Sequence, residues 1–379
     1  MPNLSKIAVL LASFAAGGSE RAMINFANGL VAQGIKVDLI AGRGPDDFRS
    51  IVDNSVNVID LQKGMFKSIP LLRSYLHREQ PNILLSSQLH VNVAAMLASV
   101  CNIGLKTKIV LREATTPSQH AKVLKGWSGH LTMHLAKKLF HKADHVISAG
   151  EASRVDAVDF YGLNKDKTST VYSSFINSQF FELAKAPVEH QWFDDGSRVI
   201  ASMGRVMPVK DFPTLINALA IVRQQIDAKL IIIGETNREP EHFDLVAKTI
   251  KDLNVEGAVD FIGFHQNPFP YLAKSEVYVL SSKFEGLPGA LVQAMALGCK
   301  LVATDCKSGP REVLDGGSRG ILVPVSDAQA MAAAILESLN SKHDRSLGKE
   351  WANEFSESTS ISNLIRVFEN TLNDNNAVQ

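Results

Sequence analysis

Three charged side chains stand where an apolar run gives way to a helix, and a polar one lies inside the helix that follows. They are Arg205 and Lys210 in "GRVMPVKDFPTLINAL", and Glu285 and Gln293 in "SSKFEGLPGALVQAMALG". Arg205 leaves a strand, and Lys210 lies just before a helix opening at Asp211–Pro213. Two cations beside a helix N-terminus suit a diphosphate, because guanidinium, ammonium and free backbone N–H groups all bind its oxygens. Glu285 and Gln293 suit a different group. A carboxylate accepts hydrogen bonds from vicinal hydroxyls, as on a sugar, and an amide can serve a second hydroxyl pair. Glu285, Gly286, Leu287, Pro288 and Gly289 read as a strand-to-helix turn, with Pro288 in the first helical turn and Gly298 at its stop. N–H groups of such a turn point at a ligand, and Gly286 and Gly289 let it approach. The plainer reading makes Glu285 a helix-dipole acid and Gln293 a core-rim amide, but it leaves both glycines idle.

Three further strand ends carry weaker signals. Gly17 and Gly18 in "ASFAAGGSERAM" precede a helix that Ser19 can cap. Bare glycines let a phosphate come close, although a tight turn uses them equally. His90 in "SSQLHVN" stands where a strand ends and a helix begins, as a reacting-centre imidazole or a structural one. In "TDCKSGPREVLDGG", Gly309 and Pro310 precede a helix start that puts Arg311 and Glu312 in its first turn. That is a common structural device as well as a place for ligand contact.

The elements that must position these groups follow one plan twice. The first half has strand-like runs "KIAVLLAS", "KVDLIAG", "NILLSS", "KIVLRE", "HVISAG" and "STVYSS". Helical stretches separate them, such as Ser19 to Gln33 with Met23, Phe26, Ala27 and Leu30 on one face. Ser68 can cap the next helix, with Pro70 in its first turn and Pro81 beyond its end. The second half repeats the pattern with "RVIASMG", "AKLIIIGE", "VDFIGF", "VYVLSS", "KLVAT" and "GILVPV". Continuous apolar strands alternating with helices indicate parallel sheets covered on both faces. The expected fold is α/β, with two doubly wound, Rossmann-like domains of residues 1–177 and 178–355. The hinge falls at Ser173 to Asn177, followed by a surface excursion to Ser197, and a C-terminal helix near 356–372 can pack back on the first domain. Ligands of open α/β sheets bind at the strand C-termini, so the site is expected in the cleft across which the domains face.

With 379 residues the chain exceeds one ordinary core, and its zero formal net charge argues against nucleic acid as a partner. The three cysteines, Cys101, Cys299 and Cys306, form no CxxC pair and read as reduced thiols of a cytoplasmic protein. The start "MPNLSKIAVLLASFAAGG" reads as a buried first strand rather than a signal peptide, and no apolar run is long enough to span a bilayer. The charge is uneven: to Asn177 there are about 20 Lys and Arg against about 13 Asp and Glu, with the reverse excess beyond. Lys122, Lys125, Lys137, Lys138 and Lys142 cluster near Trp127, either as a solvated helix face or as a contact for an anionic membrane surface or an acceptor.

Taken together, "AAGGSERAMINFANGL", "GRVMPVKDFPTLINAL" and the ordered run from "FIGFHQNPF" to "ILVPVSD" resemble the family 4 retaining glycosyltransferases of GT-B fold. The likeness is nearest the branch that builds bacterial lipopolysaccharide, capsule and related glycans. It implies a UDP-sugar donor held mainly by the C-terminal domain, with Arg205 and Lys210 on the diphosphate. Glu285, first Glu of the family's Glu-x7-Glu motif, would hold the transferred sugar, and the backbone of Gly286, Leu287 and Pro288 would hold sugar and phosphate. Gly17 and Gly18 would come close to the phosphates, and His90 would lie beside the reacting centre. The acceptor would be a glycan or lipid-linked glycan, and the enzyme would be cytoplasmic, at the inner face of the membrane. The second Glu of the motif is here Gln293, which keeps an acceptor oxygen but loses the charge. No Asp-x-Asp occurs, so neither a metal nor another cofactor is expected. A nucleotide-sugar epimerase on the same architecture and a non-catalytic glycan-binding relative are the alternatives.

Overall fold

The computed structural model describes residues 4–100, 104–124, 126–342 and 344–373, so Cys101, Lys125 and the tail from 374 lie outside it. The described residues fall into two units, 4–174 with 355–373, and 175–354.

The first unit is built on seven strands: β1 (Lys6–Leu11), β2 (Lys36–Ala41), β3 (Asn57–Asp60), β4 (Ile83–Ser87), β5 (Lys108–Glu113), β6 (His145–Ser148) and β7 (Thr168–Thr170). All pair in parallel, in the order β3-β2-β1-β4-β5-β6-β7. Successive side chains of a strand point to opposite faces. Ile7, Val9 and Leu11 accordingly join Met23, Phe26 and Leu30 of helix Gly18–Ala32, while Ala8 and Leu10 join Leu72, Leu76, Val93 and Met96 on the other face. Burial on both faces is why β1 reads as an unbroken apolar run. Ile361, Leu364 and Phe368 of helix Glu357–Asn373 complete the first of these cores. Gly29 allows that docking, because a Cβ there would collide with the Ile361 side chain.

The second unit has six parallel strands: β8 (Arg198–Met203), β9 (Ala228–Ile233), β10 (Val259–Gly263), β11 (Val277–Leu280), β12 (Lys300–Thr304) and β13 (Ile321–Val323), in the order β10-β9-β8-β11-β12-β13. Ile200, Leu230, Ile232, Val277, Val279 and Val302 meet Leu215 and Leu219 of helix Phe212–Val222 and Met331 and Ile335 of helix Ala328–Asn340. Burying side chains of this kind contributes about 1.5–3 kcal/mol each. In each sheet the strand order reverses beside the first strand, between β1 and β4 and between β8 and β11. Such reversals open a crevice at the strand C-termini.

Several expectations need correction. The edge strand β3 escaped the pattern because Val58 and Ile59 are only partly buried and the residues at its ends, Asn57 and Asp60, are exposed. Ser19 does not cap its helix: Gly17 holds the cap position, and the Ser19 hydroxyl turns to Ser87. Ser68 donates to the Lys63 and Gly64 carbonyls, because it ends a 3-10 turn that runs straight into helix Ile69–Glu79. The first unit ends at Ser174 rather than Asn177, since Phe175 packs on Gly289 of the second unit. The segment to Ser197 is not a mere surface excursion, for Phe180 and Trp192 are buried and Phe180 packs 4.5 Å from the Phe269 ring. Among the described residues no helix is long and apolar enough to cross a membrane.

Candidate functional site

In the second unit the crevice lies between the exits of β8 and β11. Past Met203 the chain stays fixed to the neighbouring strand's exit, with Gly204 N–H donating to Ile233 O and Val206 N–H to Glu235 O, each at 2.9 Å. A 3-10 turn over Pro208–Lys210 follows, and Asp211, in left-handed conformation at φ 49°, swings the chain into helix Phe212–Val222. Asp211 is buried and accepts a 2.6 Å hydrogen bond from Ser326, which is also left-handed. The exit of β11 holds this turn from the other side: Ser281 Oγ donates to Lys210 O at 2.6 Å and Lys283 N–H to Val209 O at 2.8 Å.

This scaffold brings Lys210 and Glu285 together. Lys210 Nζ lies 2.6 Å from Glu285 Oε1, and Ser282 Oγ donates to the same oxygen at 2.6 Å. The two side chains are 22% and 15% exposed, buried enough to strengthen the pair and open enough for a ligand to reach it. The Glu285 backbone is held too, by Ser308 Oγ on its carbonyl at 3.0 Å, while Thr304 Oγ1 donates to Ser282 O at 2.6 Å. Gly309, at φ 78°, lets the next strand's exit approach: a Cβ there would stand 2.6 Å from Gly286 O. Arg205 is half-buried and makes no hydrogen bond or ion pair among the described residues.

Helix Gly289–Ala296 starts beside this pair, with Pro288 at its cap and Leu287 buried. Leu291 and Val292 return their N–H groups to Pro288 O, so among the described residues Gly289 and Ala290 keep the unpaired donors of a helix start. Two readings change here. Gly289 makes room for the Phe175 ring, which a Cβ would strike, rather than for a ligand. Gln293 is buried and its Nε2 points at Phe175 O from 3.5 Å, so its amide nitrogen is directed at the backbone. Arg311 pairs with Asp305 through Nε and Nη2, and its side chain is mostly exposed.

In the first unit Gly17, Gly18 and His90 lie at the corresponding crevice, at the exits of β1 and β4. Gly17 is again filled by its own chain, since a Cβ would collide with the Glu20 carboxylate, whereas Gly18 has nothing within 4 Å. Glu20 Oε1 accepts from Gln88 Nε2 at 2.7 Å, and Ser19 Oγ meets Ser87 Oγ at 2.9 Å. Both contacts bridge the exits of β1 and β4. His90, second residue of helix Leu89–Ser99, is half-buried, and that burial holds its pKa below the ordinary 6.5. Behind these groups Arg112, 2% exposed, donates to Ser87 Oγ at 3.2 Å and to Ser173 Oγ at 2.5 Å. Glu20, Gln88, Arg112, Asp211, Ser282 and Ser308 were not singled out from the sequence. A charged pair inside the apolar run "KIVLRE" was the available signal for Arg112.

With this geometry in place, comparison with known proteins adds a family frame. Residues 16–174 match the family described as Glycosyltransferase Family 4, and residues 197–341 the one described as Glycosyl transferases group 1. The chain is 30% identical over 263 residues to the N-acetylgalactosamine-N,N'-diacetylbacillosaminyl-diphospho-undecaprenol 4-alpha-N-acetylgalactosaminyltransferase of Campylobacter jejuni, covering 69% of this chain and 67% of that one. A second Campylobacter jejuni protein, a GalNAc-alpha-(1->4)-GalNAc-alpha-(1->3)-diNAcBac-PP-undecaprenol alpha-1,4-N-acetyl-D-galactosaminyltransferase, is 23% identical and spans 90% of this chain and 91% of its own. Among solved structures, HepE of Anabaena in complex with UDP and glucose superposes with a TM-score of 0.79 at 19% identity, over 97% of this chain and 100% of that one. That likeness shows the GT-B fold of two parallel-sheet α/β domains.

Proposed function

We propose, for a chain that belongs to the group 1, family 4 glycosyltransferases, that it moves a hexose or N-acetylhexosamine from a UDP-sugar to a glycan or lipid-linked glycan, with retention at the anomeric carbon. The carrying observation is the Lys210–Glu285 pair, held at 2.6 Å beside an open helix start at the β8/β11 crevice. In the resting protein each member neutralises the other. A bound donor supplies both with new partners: its diphosphate takes Lys210 and Arg205, and its sugar hydroxyls take Glu285. The charge needed at the leaving group is thus already in place and costs little reorganisation, the condition under which fixed electrostatics accelerate a reaction most.

The reaction breaks the bond from the anomeric carbon to the β-phosphate oxygen and forms one to the acceptor oxygen. The acceptor's proton passes to the departing diphosphate, whose growing negative charge Lys210, Arg205 and the N–H groups of Gly289 and Ala290 stabilise. In the first unit, Gly17, Gly18 and His90 are the residues this reading offers to phosphate, donor and acceptor groups, with His90 as a neutral imidazole. Gly286, Leu287 and Pro288 place the sugar, and Gln293 Oε1 takes a donor hydroxyl while its nitrogen faces Phe175 O. No metal or other cofactor is needed in this reading, because the two cations neutralise the diphosphate. The relatives named for N-acetylgalactosamine transfer onto diphospho-undecaprenol carriers support an N-acetylhexosamine donor and a lipid-linked acceptor; the reading places this step in a cytoplasmic enzyme of surface-polysaccharide synthesis.

The test is a panel of UDP-sugars with and without chelator, read first by donor hydrolysis and then with lipid-linked acceptor extracts. The expected result is chelator-resistant transfer of one sugar with its anomeric configuration kept. An epimerised sugar from donor alone, or donor-induced thermal stabilisation with no turnover, would replace this reading by an epimerase or a binding protein.

A further inference from the structure

Arg112 is a buried cation that makes no ion pair among the described residues, although the neighbouring Glu113 charge favours its charged form. It lies near the end of β5, 2% exposed, and no acidic side chain stands within ion-pair distance of it among the described residues. Its neighbour Glu113 turns instead to Thr115 Oγ1, at 2.9 Å, and Tyr161. Two hydroxyls, Ser87 and Ser173, and the face of Phe26 at 5.8 Å are its surroundings, and its Nε finds no acceptor. Desolvation pushes its pKa down to about 10. A charge so placed opposes folding unless its hydrogen bonds compensate, and an apolar side chain of similar length would cost less.

What Arg112 does that an apolar residue cannot is give direction to hydroxyls. A guanidinium only donates, so Ser87 Oγ must accept from it. The Ser87 hydrogen is then available for Ser19 Oγ, 2.9 Å away, and the Ser19 hydrogen is left to point outward. Of the three serines, Ser87 and Ser173 are buried and Ser19 is half-exposed. Ser19 lies in the first turn of helix Gly18–Ala32, next to Gly18, whose Cβ side is open.

We propose that Arg112 is a positioning residue for glycosyl transfer: through Ser87 it orients the Ser19 hydroxyl to donate to a phosphate or sugar oxygen of the substrate. The role rests on the glycosyltransferase reading above and adds to it a group outside every motif that suggested it. Lys in place of Arg112 could reach one serine but not both, because it lacks the planar fork.

The experiment compares wild type with Arg112→Met, Arg112→Lys, Ser19→Ala and Arg112→Met/Ser19→Ala. Each is measured for UDP affinity by calorimetry, for thermal midpoint, and for kcat and KM with the best UDP-sugar. UDP affinity, carried mainly by Lys210 and Arg205 in the reading above, should fall by no more than about twofold. Arg112→Met and Ser19→Ala should each lower kcat by about tenfold, the order expected for one lost hydrogen bond. The double variant should be no slower than Arg112→Met alone, because both act on one hydroxyl. Arg112→Lys should recover part of the rate. A normal kcat in Arg112→Met, or losses that multiply in the double variant, would overturn the role. A lowered midpoint with kcat kept would assign Arg112 to stability alone, which also overturns it. Should Arg112→Met not fold, Ser87→Ala replaces it in the same cycle. A wild type that binds UDP yet turns over no UDP-sugar would sink the transferase reading and this role with it, whereas an unaffected variant of an active wild type sinks the role alone.

Discussion

The two crevices are built at the same topological place and filled with opposite chemistry. Between β8 and β11 an ion pair spans the opening, Lys210 on one side and Glu285 on the other, with Ser281 and Ser282 holding the turns that carry them. Between β1 and β4 the bridges are Ser19 with Ser87 and Glu20 with Gln88, neither of them an ion pair, and the cation, Arg112, lies buried behind them. One unit presents charge to the opening, whereas the other uses a hidden charge to orient hydroxyls. The difference teaches where reactive charge can be kept. An ion pair within reach of water can exchange partners with a charged ligand at modest cost, while a buried cation cannot leave its place without a large one.

The sharpest test of that contrast is Glu285→Ala. Loss of a hydrogen-bonding charge that acts in the transition state costs about 2–4 kcal/mol, or roughly 30- to 1000-fold in kcat. Because the same change frees Lys210, UDP affinity should hold or tighten even as transfer collapses. A near-normal rate in a folded variant would remove Glu285 from the site. Next in size are Lys210→Ala and Arg205→Ala. Both should weaken UDP by about tenfold or more, the scale of one charge-assisted bond. They should differ in stability. Lys210→Ala removes the ion-pair partner of a mostly buried carboxylate, which keeps its Ser282 hydrogen bond, at a cost of about 1–3 kcal/mol, while Arg205, having no partner among the described residues, should be removable with little change in the thermal midpoint. Equal midpoints for the two variants would break the claim that the pair is formed at rest.

Both sheets were legible because their strands are covered on two faces, and such strands leave apolar runs that mark themselves. What the pattern missed was β3, half-exposed at an edge, where Asn57 and Asp60 interrupt any run. At the crevices, Glu285 and Lys210 stood out because a strand end followed by a helix start limits what a charged residue there can do. Their supports did not stand out. A serine such as Ser282 or Ser308 has no periodicity to betray it, and whether it holds a carboxylate depends on chain brought from another strand. Glycines were read too simply. Gly289 suggested room for a ligand, yet a Cβ there would strike the Phe175 ring, while at Gly17 only the tip of the Glu20 side chain comes near. A glycine reports that something comes close, and only the fold says what.

The units also differ at their surfaces, and the effect per residue is smaller again. Helix Gly126–Leu139 carries no acidic residue. Its outer face exposes Trp127, at 78%, with Leu131, Lys137 and Lys138, and Lys122 and Lys142 flank it. Each lysine near an anionic bilayer contributes about 1 kcal/mol, or about fivefold in partitioning, within a Debye length of about 8–10 Å. Changing Lys122, Lys138 or Lys142 to Gln should lower co-sedimentation with anionic vesicles by that factor, in a salt-sensitive way. Lys137, whose Nζ sits 4.0 Å over the Phe160 ring, should matter least. Lys248→Gln and Lys251→Gln on the second unit's helix Pro240–Asp252 serve as controls and should change nothing. Equal binding to neutral vesicles would reduce the cluster to a solvated face.

The smallest expected effect lies in the first unit's crevice, where His90 is the titrating group. Burial lowers its pKa below the unfolded 6.5, so between the folded and unfolded values the unfolded chain binds more protons. Stability therefore rises with pH across that window, is fully present above 6.5, and is lost as pH falls below 6.5 toward the folded value. His120, on helix Pro117–Val123, is lowered by burial as well and adds a slope of the same sign. His90→Gln should flatten part of the pH dependence of the unfolding midpoint below pH 6.5, and His90→Gln/His120→Gln more of it, with little change at pH 7.5 (about the working range of a neutral imidazole). If the slope persists undiminished in the double variant, these two imidazoles are not what titrates, and the neutral state assigned to His90 at the reacting centre loses its physical support.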